Sequence, residues 1–254
     1  MTILDRFRLD GRVAIVTGAS SGLGVGFAAA LAEAGADLAL GARRVDRLAE
    51  TCTLVENTGR KAIAVRTDVV DPDDCTALVD AAMTAYGRVD ILVNNAGVGT
   101  AVPALKETPD QFRSVIDINL NGCYWMAQAC ARVMLPGSSI VNISSVLGLT
   151  TTGLPQAAYA SSKSGLIGLT RDLAQQWTSR KGIRVNALAP GFFASDMSDS
   201  MDRNVVETQI LPRVLAGRLG VHAELAAALI FLVSDAGSYV TGITLPVDGG
   251  VLTT

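Results

Sequence analysis

The sequence predicts an α/β fold, a doubly wound parallel sheet of about seven strands with helices on both faces. Short apolar runs recur along the 254 residues, and segments with helical periodicity separate them. The runs are continuously apolar rather than alternating, which is typical of parallel strands that are buried on both faces. No internal boundary is visible, so we expect residues 1–254 to form a single domain.

The elements follow in order along the chain. The predicted strands are 13–17, 37–41, 62–66, 91–94, 139–144, 184–189 and a shorter one at 243–247. The predicted helices are 23–34, 45–57, 71–86, 108–134, 156–180 and 222–234. The segment 190–217 breaks the alternation and is too long for an ordinary connection, so we expect a mobile flap beside the active site.

Composition excludes several function classes. A net charge of -3 with scattered basic residues offers no stripe for a phosphate backbone, so we expect no nucleic-acid partner. The longest apolar run, 225–233, is well short of the ~20 residues of a spanning helix, and residues 1–10 lack a signal sequence. The cysteines form no C-x-x-C pair, so we expect buried thiols, no metal and a cytoplasmic location.

A glycine-rich turn connects the first strand to the first helix. Glycines let the backbone approach a pyrophosphate closely, and the helix N-terminus supplies free N–H donors and a favourable dipole. The turn therefore predicts a Rossmann-type dinucleotide site. The residues expected to contact the cofactor here are Gly18, Ser20, Ser21, Gly22, Leu23 and Gly24.

The same turn also matches G-x-S-x-G, with Ser20 at the nucleophile position of a serine hydrolase. Such a serine needs a histidine base, and the single histidine is His222. No acid partner or oxyanion motif can be identified, which makes this a remote alternative.

Further motifs follow in a fixed order. T-G-x-x-x-G-x-G at 17–24 precedes N-N-A-G at 94–97, then come Asn119, Ser145 and Tyr159-x-x-x-Lys163. Together the set resembles the short-chain dehydrogenase/reductase family in its single-domain form. The resemblance covers nearly the whole chain, including Asp68-Val69 after the third strand, Pro190-Gly191 after the sixth and V-D-G-G at 247–250.

The resemblance implies hydride transfer between a nicotinamide and a carbonyl carbon. Tyrosine, with an ordinary pKa of ~10, is a poor base at neutral pH, and the Lys163 ammonium one helical turn beyond Tyr159 would favour the phenolate. Tyr159 then acts as general acid or base, and Ser145 hydrogen-bonds the substrate oxygen, with Ser144 as the alternative serine. Lys163 also bonds the nicotinamide ribose, and Asn119 holds a water that links Lys163 to solvent.

The end of the second strand bears on the cofactor. An NAD site has a carboxylate there for the ribose 2′-hydroxyl, but this chain has Arg43 and Arg44. Guanidinium groups bind a 2′-phosphate with paired hydrogen bonds, so NADP(H) is preferred and NAD(H) remains possible. Arg43 is the expected phosphate ligand and Arg44 its helper. Asp37 opens the strand rather than closing it, and is a poor ribose ligand.

The remaining expected contacts also come from the resemblance. Those to the cofactor are Asp68, Val69, Asn95, Ala96, Gly97, Tyr159, Lys163, Pro190, Gly191, Phe193 and Ser195. Those to the substrate are Ser145, Val146, Leu147, Leu154, Tyr159 and Phe192. Mostly apolar residues favour an uncharged ketone or secondary alcohol.

The family leaves further possibilities open. Its members with these motifs include 3-oxoacyl-thioester reductases and sugar-acid dehydrogenases, and a non-catalytic dinucleotide sensor is a further alternative. A homo-oligomer, either a tetramer or a dimer, is expected by analogy through the helices at 108–134 and 156–180.

Overall fold

The computed structural model describes residues 2–193 and 203–254. Within them, seven parallel strands form one sheet in the order β3-β2-β1-β4-β5-β6-β7. The strands are β1 Val13–Thr17, β2 Asp37–Ala42, β3 Ala62–Arg66, β4 Ile91–Asn94, β5 Ser139–Ile143, β6 Arg184–Pro190 and β7 Thr244–Val247. The strand order reverses between β1 and β4, which creates the crevice where such sheets bind ligands. The predicted fold class is confirmed.

Seven helices of eight or more residues occur in the described ranges. They are α1 Leu23–Glu33, α2 Val45–Glu56, α3 Pro72–Tyr86, α4 Pro109–Ile116, α5 Gly122–Val133, α6 Ala157–Lys181 and α7 His222–Val233. Local sequence sets several of these ends. The Asp71 side chain accepts a hydrogen bond from Asp73 N before α3, and Gly87 ends that helix with φ 73°. A capping box of Thr108 and Gln111 starts α4.

The helix predicted at 108–134 is present as a continuous helical segment from Pro109 to Val133, but it is not one regular α-helix. A π-helical turn, Asp117–Asn121, separates α4 from α5. In this turn the Asn119 side chain donates to Val98 O (2.9 Å) and to Ser162 Oγ (3.1 Å), and it accepts from Val98 N (2.8 Å). These bonds hold the turn against the loop after β4 and against α6, and such interruptions often occur at functional sites.

Two apolar clusters sandwich the sheet and explain the continuous apolar runs. On one face Ala14 and Val16 of β1 pack with α1 and α7. On the other face Ile15 packs with α3, α5 and α6, through residues such as Met126 and Leu173. Because successive side chains of a strand point to opposite faces, a strand that contributes to both clusters carries apolar side chains on both faces.

The flap predicted at 190–217 falls partly on residues 194–202, which lie outside the described ranges. Its described part is helical from 203 to 213. There Ile210 and Val214 pack against Val146 and Val251. The mobility of the flap stays a prediction. A search of the described helices for one long and apolar enough to cross a bilayer found none.

Candidate active site

A cleft of about 840 Å³ opens at the carboxyl ends of the central strands. Most residues predicted as contacts line it: Gly18, Ser20, Ser21, Gly22, Leu23, Arg43, Arg44, Asp68, Val69, Asn95, Ala96, Gly97, Ser145, Leu147, Leu154, Tyr159, Lys163, Pro190, Gly191, Phe192 and Phe193. Gly24, Asn119 and Val146 do not line it, and Ser195 lies outside the described residues. The volume is within the usual range for small-molecule sites.

The glycine turn forms one end of the cleft. Gly18 has a φ of 65°, and a Cβ there would lie 2.8 Å from Ala96 Cα, so no other residue fits without rearrangement. A Cβ on Gly22, with φ 57°, would meet nothing, so this backbone borders open space in the cleft. Backbone N–H groups at the start of α1 are therefore accessible to an anion.

Gly24 does not line the cleft, and its predicted contact with the cofactor stays a prediction. A Cβ on Gly24 would lie 2.3 Å from Gly18 O, so this glycine permits close packing of α1 on the turn rather than access to a ligand.

Both arginines after β2 are exposed at the cleft. Arg44 Nη2 donates to Ser21 Oγ (2.7 Å) and to Ser20 Oγ (3.3 Å), so its guanidinium is held over the glycine turn. Arg43 lines the same wall. Asp37, at the start of β2, accepts from Lys61 N and is ion-paired with Arg60, at 2.7 Å. The guanidinium groups of Arg43 and Arg44 have no acceptor other than hydroxyls among the described residues.

Residues from β5 and α6 form the other end. Lys163 Nζ, on a side chain that is almost fully buried, donates to Ile143 O (2.8 Å) and lies 5.5 Å from the centre of the Tyr159 ring. No described residue hydrogen-bonds the Tyr159 hydroxyl, which faces a cleft open to ligand.

Two adjacent serines differ in what their hydroxyls do. Ser145 Oγ accepts from Leu147 N (3.2 Å), so its hydrogen remains available to an oxygen in the cleft. Ser144 Oγ donates to Lys163 O (2.9 Å) and anchors α6. Ser145 is therefore the serine with a free donor, although both side chains border the cleft.

Val146, which is predicted as a substrate contact, does not line the cleft. The chain turns through a 3₁₀ segment, Val146–Gly148, directly after Ser145. In that turn Leu147 faces the cleft, whereas Val146 packs into the cluster with Ile210 and Val214. Asn119 is likewise buried beside the cleft and reaches it only through the Val98 backbone that it holds.

The end of β6 closes a further side of the cleft. Gly191 N donates to Val247 O, and a Cβ on Gly191 would lie 2.6 Å from Asp248 Cα. Only glycine allows β6 and the V-D-G-G segment to approach this closely. Phe193, the last residue of the first described range, pairs with Gly220 in an isolated β-bridge, which positions its backbone.

Several lining residues carried no recognised sequence signal. They are Ala42, Thr67, Val98, Gly99, Ile118, Ile143 and Gln156. Most lie next to a recognised motif, and their position in the crevice depends on strand ends that only the fold brings together. Gln156 directly precedes α6 and is not helical, so the spacing to Tyr159 does not place it in the cleft.

The arrangement of Ser20, His222 and Cys123 does not favour a serine hydrolase or a reactive thiol. Ser20 Oγ accepts from Arg44, while the His222 ring lies against Gly26 and its Nε2 has no partner in the described ranges. Burial raises the pKa of the Cys123 thiol to about 11, so the neutral thiol prevails at pH 7. No cluster of metal-ligating side chains occurs among the described residues.

A family model and two relatives match nearly the whole chain. Residues 18–252 match a family model described as enoyl-(acyl carrier protein) reductase. The 2-dehydro-3-deoxy-D-gluconate 5-dehydrogenase of Escherichia coli is 38% identical over 98% of this chain and 99% of its own. The 3-oxoacyl-(acyl-carrier-protein) reductase of Chlamydia trachomatis is 39% identical over 96% and 98% of the two chains.

A solved structure agrees with these two relatives. It is a proposed 2-deoxy-D-gluconate 3-dehydrogenase from Agrobacterium tumefaciens with bound NADP, and it is 36% identical to this chain. The two superpose with a TM-score of 0.89, covering 98% of this chain and 99% of that one.

Proposed function

The chain belongs to the short-chain dehydrogenase/reductase family, and on that basis we propose that it is an NADP(H)-dependent enzyme that interconverts a ketone and a secondary alcohol. Family membership makes it an oxidoreductase acting on alcohol or ketone groups. One observation carries the finer proposal: the free Tyr159 hydroxyl and Ser145 share a cleft with the glycine turn and with Arg44.

The side chains divide the reduction between them. When bound, a reduced nicotinamide supplies the hydride to the carbonyl carbon. Tyr159 donates its proton to the carbonyl oxygen, and the Ser145 hydroxyl donates a hydrogen bond to the same oxygen. The carbonyl carbon thus gains a hydride and the oxygen a proton. The positive charge of Lys163 stabilises the phenolate that remains, until solvent returns the proton.

Asn119 acts on this step from outside the cleft. Its side chain bonds both backbone groups of Val98 and Ser162 Oγ, and Ser162 Oγ donates in turn to Tyr159 O (2.7 Å). We expect it to hold the relay water proposed for the family, beside Lys163. The same bonds orient the helical turn that carries Tyr159.

The cofactor preference rests on charge. The N-terminus of α1 accommodates a pyrophosphate, and Gly97 and Lys163 lie where a ribose would be bound. At the adenosine end, Arg44 and Arg43 present guanidinium groups, whereas Asp37 lies at the opposite end of β2 and is ion-paired with Arg60. A 2′-phosphate would supply the acceptors that these groups lack. The Agrobacterium relative was solved with NADP, which agrees with this preference.

Two substrate classes remain as alternatives. The Escherichia coli relative is named for a sugar acid, and the Chlamydia relative for an oxoacyl carrier-protein thioester. The substrate end of this cleft is bordered by Leu147, Leu154 and Phe192. A non-catalytic sensor is less well supported, because sensing needs no free acid beside a buried lysine. The cytoplasmic location and the homo-oligomer stay predictions.

The proposal is tested by following NADPH oxidation with purified protein. Simple ketones, keto sugars and oxoacyl thioesters are offered in turn, and each is repeated with NADH. We expect turnover of at least one carbonyl class, with a higher kcat/KM for NADPH than for NADH. Failure of every carbonyl and of the corresponding alcohols with NADP⁺, by protein that binds the cofactor, would refute the enzyme assignment and favour the sensor.

A further inference from the structure

Ser164 directly follows Lys163 in α6, and the proposed mechanism gives it no role. It is exposed and does not line the cleft. A serine in the interior of a helix commonly bonds a carbonyl of its own preceding turn. Here Ser164 Oγ donates instead to Gly148 O, at 2.9 Å, in a different segment of the chain. Ser164 therefore connects the helix that carries Tyr159 to the segment that follows Ser145.

The segment that receives this bond is the 3₁₀ turn Val146–Gly148. Gly148 N donates to Ser145 O (2.9 Å), and Leu147 N donates to Ser145 Oγ (3.2 Å). The turn is thus bonded both to the backbone and to the hydroxyl of Ser145. A displacement of Gly148 would therefore be transmitted to the hydroxyl that the mechanism places against the substrate oxygen, and to Leu147 in the wall of the cleft.

The turn and α6 are in direct backbone contact. A Cβ on Gly148 would lie 2.8 Å from Lys163 C and 3.0 Å from Ser164 N, so only glycine allows this approach. Before the turn, Ser144 Oγ donates to Lys163 O (2.9 Å). Two serine hydroxyls thus bond the two segments in opposite directions, one from each side. The Ser164 bond holds the far end of the turn, which the Ser144 bond does not reach.

We propose that Ser164 is a positioning residue for the reaction, whose bond to Gly148 O holds the turn so that Ser145 and Tyr159 meet the same substrate oxygen. The hydrogen-bond donor and the general acid lie on different elements, at the end of β5 and on α6. Misplacement by about 1 Å in an active site can cost about 10²-fold in rate. This inference rests on the proposed reduction at Tyr159.

A single substitution tests the rate. Ser164→Ala removes the hydroxyl, and because alanine is the better helix former, the melting temperature should not fall. We expect the single-turnover rate of ketone reduction to fall about three- to tenfold, as for the loss of one hydrogen bond, with the KM for NADPH unchanged. Ser164→Thr keeps a hydroxyl and should retain the rate. Ser161→Ala, exposed on the same helix and outside the cleft, is the control.

A double-mutant cycle tests the route of the effect. If Ser164 acts through Ser145, Ser164→Ala should lower the rate of the wild type and have no further effect in Ser145→Ala, because the effects of coupled residues are not additive. An equal fold loss in both backgrounds would show that the Ser164 hydroxyl acts independently of Ser145, and would overturn the inference.

Amide hydrogen exchange tests the positioning without turnover. Because Gly148 N is bonded within the turn that Ser164 holds, Ser164→Ala should raise the exchange rate of the Gly148 amide, and Ser161→Ala should not. An unchanged exchange rate or an unchanged turnover in Ser164→Ala overturns the inference and leaves the proposed function standing. If the wild type turns over no carbonyl compound, the proposed function fails and this inference fails with it.

Discussion

At the scale of single residues, the proposed preference for NADP(H) depends on Arg44 and Arg43. Each charge-assisted hydrogen bond to a phosphate contributes about 1.5–3 kcal/mol, so Arg44→Ala should raise the KM for NADPH roughly 10- to 100-fold. The KM for NADH, which lacks the phosphate, should change little. Steady-state kinetics with both cofactors measure the effect. Arg47→Ala, exposed on α2 but outside the cleft, is the control, and an unchanged NADPH KM in Arg44→Ala and Arg43→Ala would contradict the assignment.

The two serines give a second residue-scale prediction. Only Ser145 has a hydroxyl hydrogen free for the substrate oxygen, because Ser144 donates to Lys163 O. Removing one preorganised donor to a developing oxyanion costs about 10²–10³ in kcat. Ser145→Ala should show a loss of that order in single-turnover rate, while Ser144→Ala should lose mainly thermal stability. If Ser144→Ala lost more single-turnover rate than Ser145→Ala, Ser144 rather than Ser145 would be the donor to the substrate oxygen.

Sequence reasoning was most effective for residues whose role is local. The conformation of Gly18 follows from its place between strand and helix, and Tyr159 and Lys163 share a helix face by spacing alone. It was less informative for Gly24 and Val146, which do not line the cleft and pack instead against Gly18 and in a cluster with Ile210. The packing of Val146 with Ile210 joins distant parts of the chain, and no local pattern records it.

At the scale of secondary structure elements, Arg184 holds the end of α7. From β6 its guanidinium donates to Leu232 O (2.6 Å), Ser234 O (3.2 Å) and Val240 O (3.2 Å). Burial lowers its pKa to about 10, so it stays charged at neutral pH. Arg184→Met should remove these three bonds, although each carbonyl keeps one other donor. Those donors are Ser139 Oγ to Leu232 O, Gly237 N to Ser234 O and Asn186 Nδ2 to Val240 O. The free energy of unfolding should fall by roughly 1–3 kcal/mol. Denaturant unfolding measures this, with exposed Arg180→Met as control. A loss no larger than the control's would show the bonds to be dispensable.

The carboxyl group of Glu224, in the first turn of α7, titrates in acid. The Arg218 ion pair, followed by the bond from Val221 N, lowers the pKa of Glu224 from 4.5 to about 2. A carboxylate with a lowered folded-state pKa contributes stability above its unfolded pKa and loses it as the pH falls. The melting temperature of wild type should therefore fall towards that of Glu224→Gln between pH 4.5 and about 2. A constant difference between the two proteins across this range would disprove the linkage.

The interrupted helix at 108–134 shows a limit of sequence reasoning at this scale. Its periodicity is helical throughout, and nothing local marks the π-helical turn. The interruption is stabilised by Asn119 bonds to Val98 and Ser162, which are distant in sequence. The turn can be explained only from the folded structure, which brings Val98 and Ser162 next to Asn119.

At the scale of the whole molecule, the parallel sheet was predictable because each strand must be apolar on both faces to serve two clusters. The shape of the cleft was less predictable from the sequence. Its substrate wall combines Leu154 and Gln156 before α6 with Phe192 after β6, and these meet only through the strand order. Recognition of the motifs identified the reaction class, whereas the bond from Ser164 to Gly148 is visible only in the folded structure.

The central claim is that Tyr159 supplies the proton in a hydride transfer within this cleft. Tyr159→Phe removes the hydroxyl and retains the ring beside Lys163. Its kcat for ketone reduction with NADPH should fall by about 10²–10⁴, the usual contribution of general acid–base catalysis, while the NADPH Kd from fluorescence titration changes by no more than a few-fold. Full turnover in Tyr159→Phe would contradict the account.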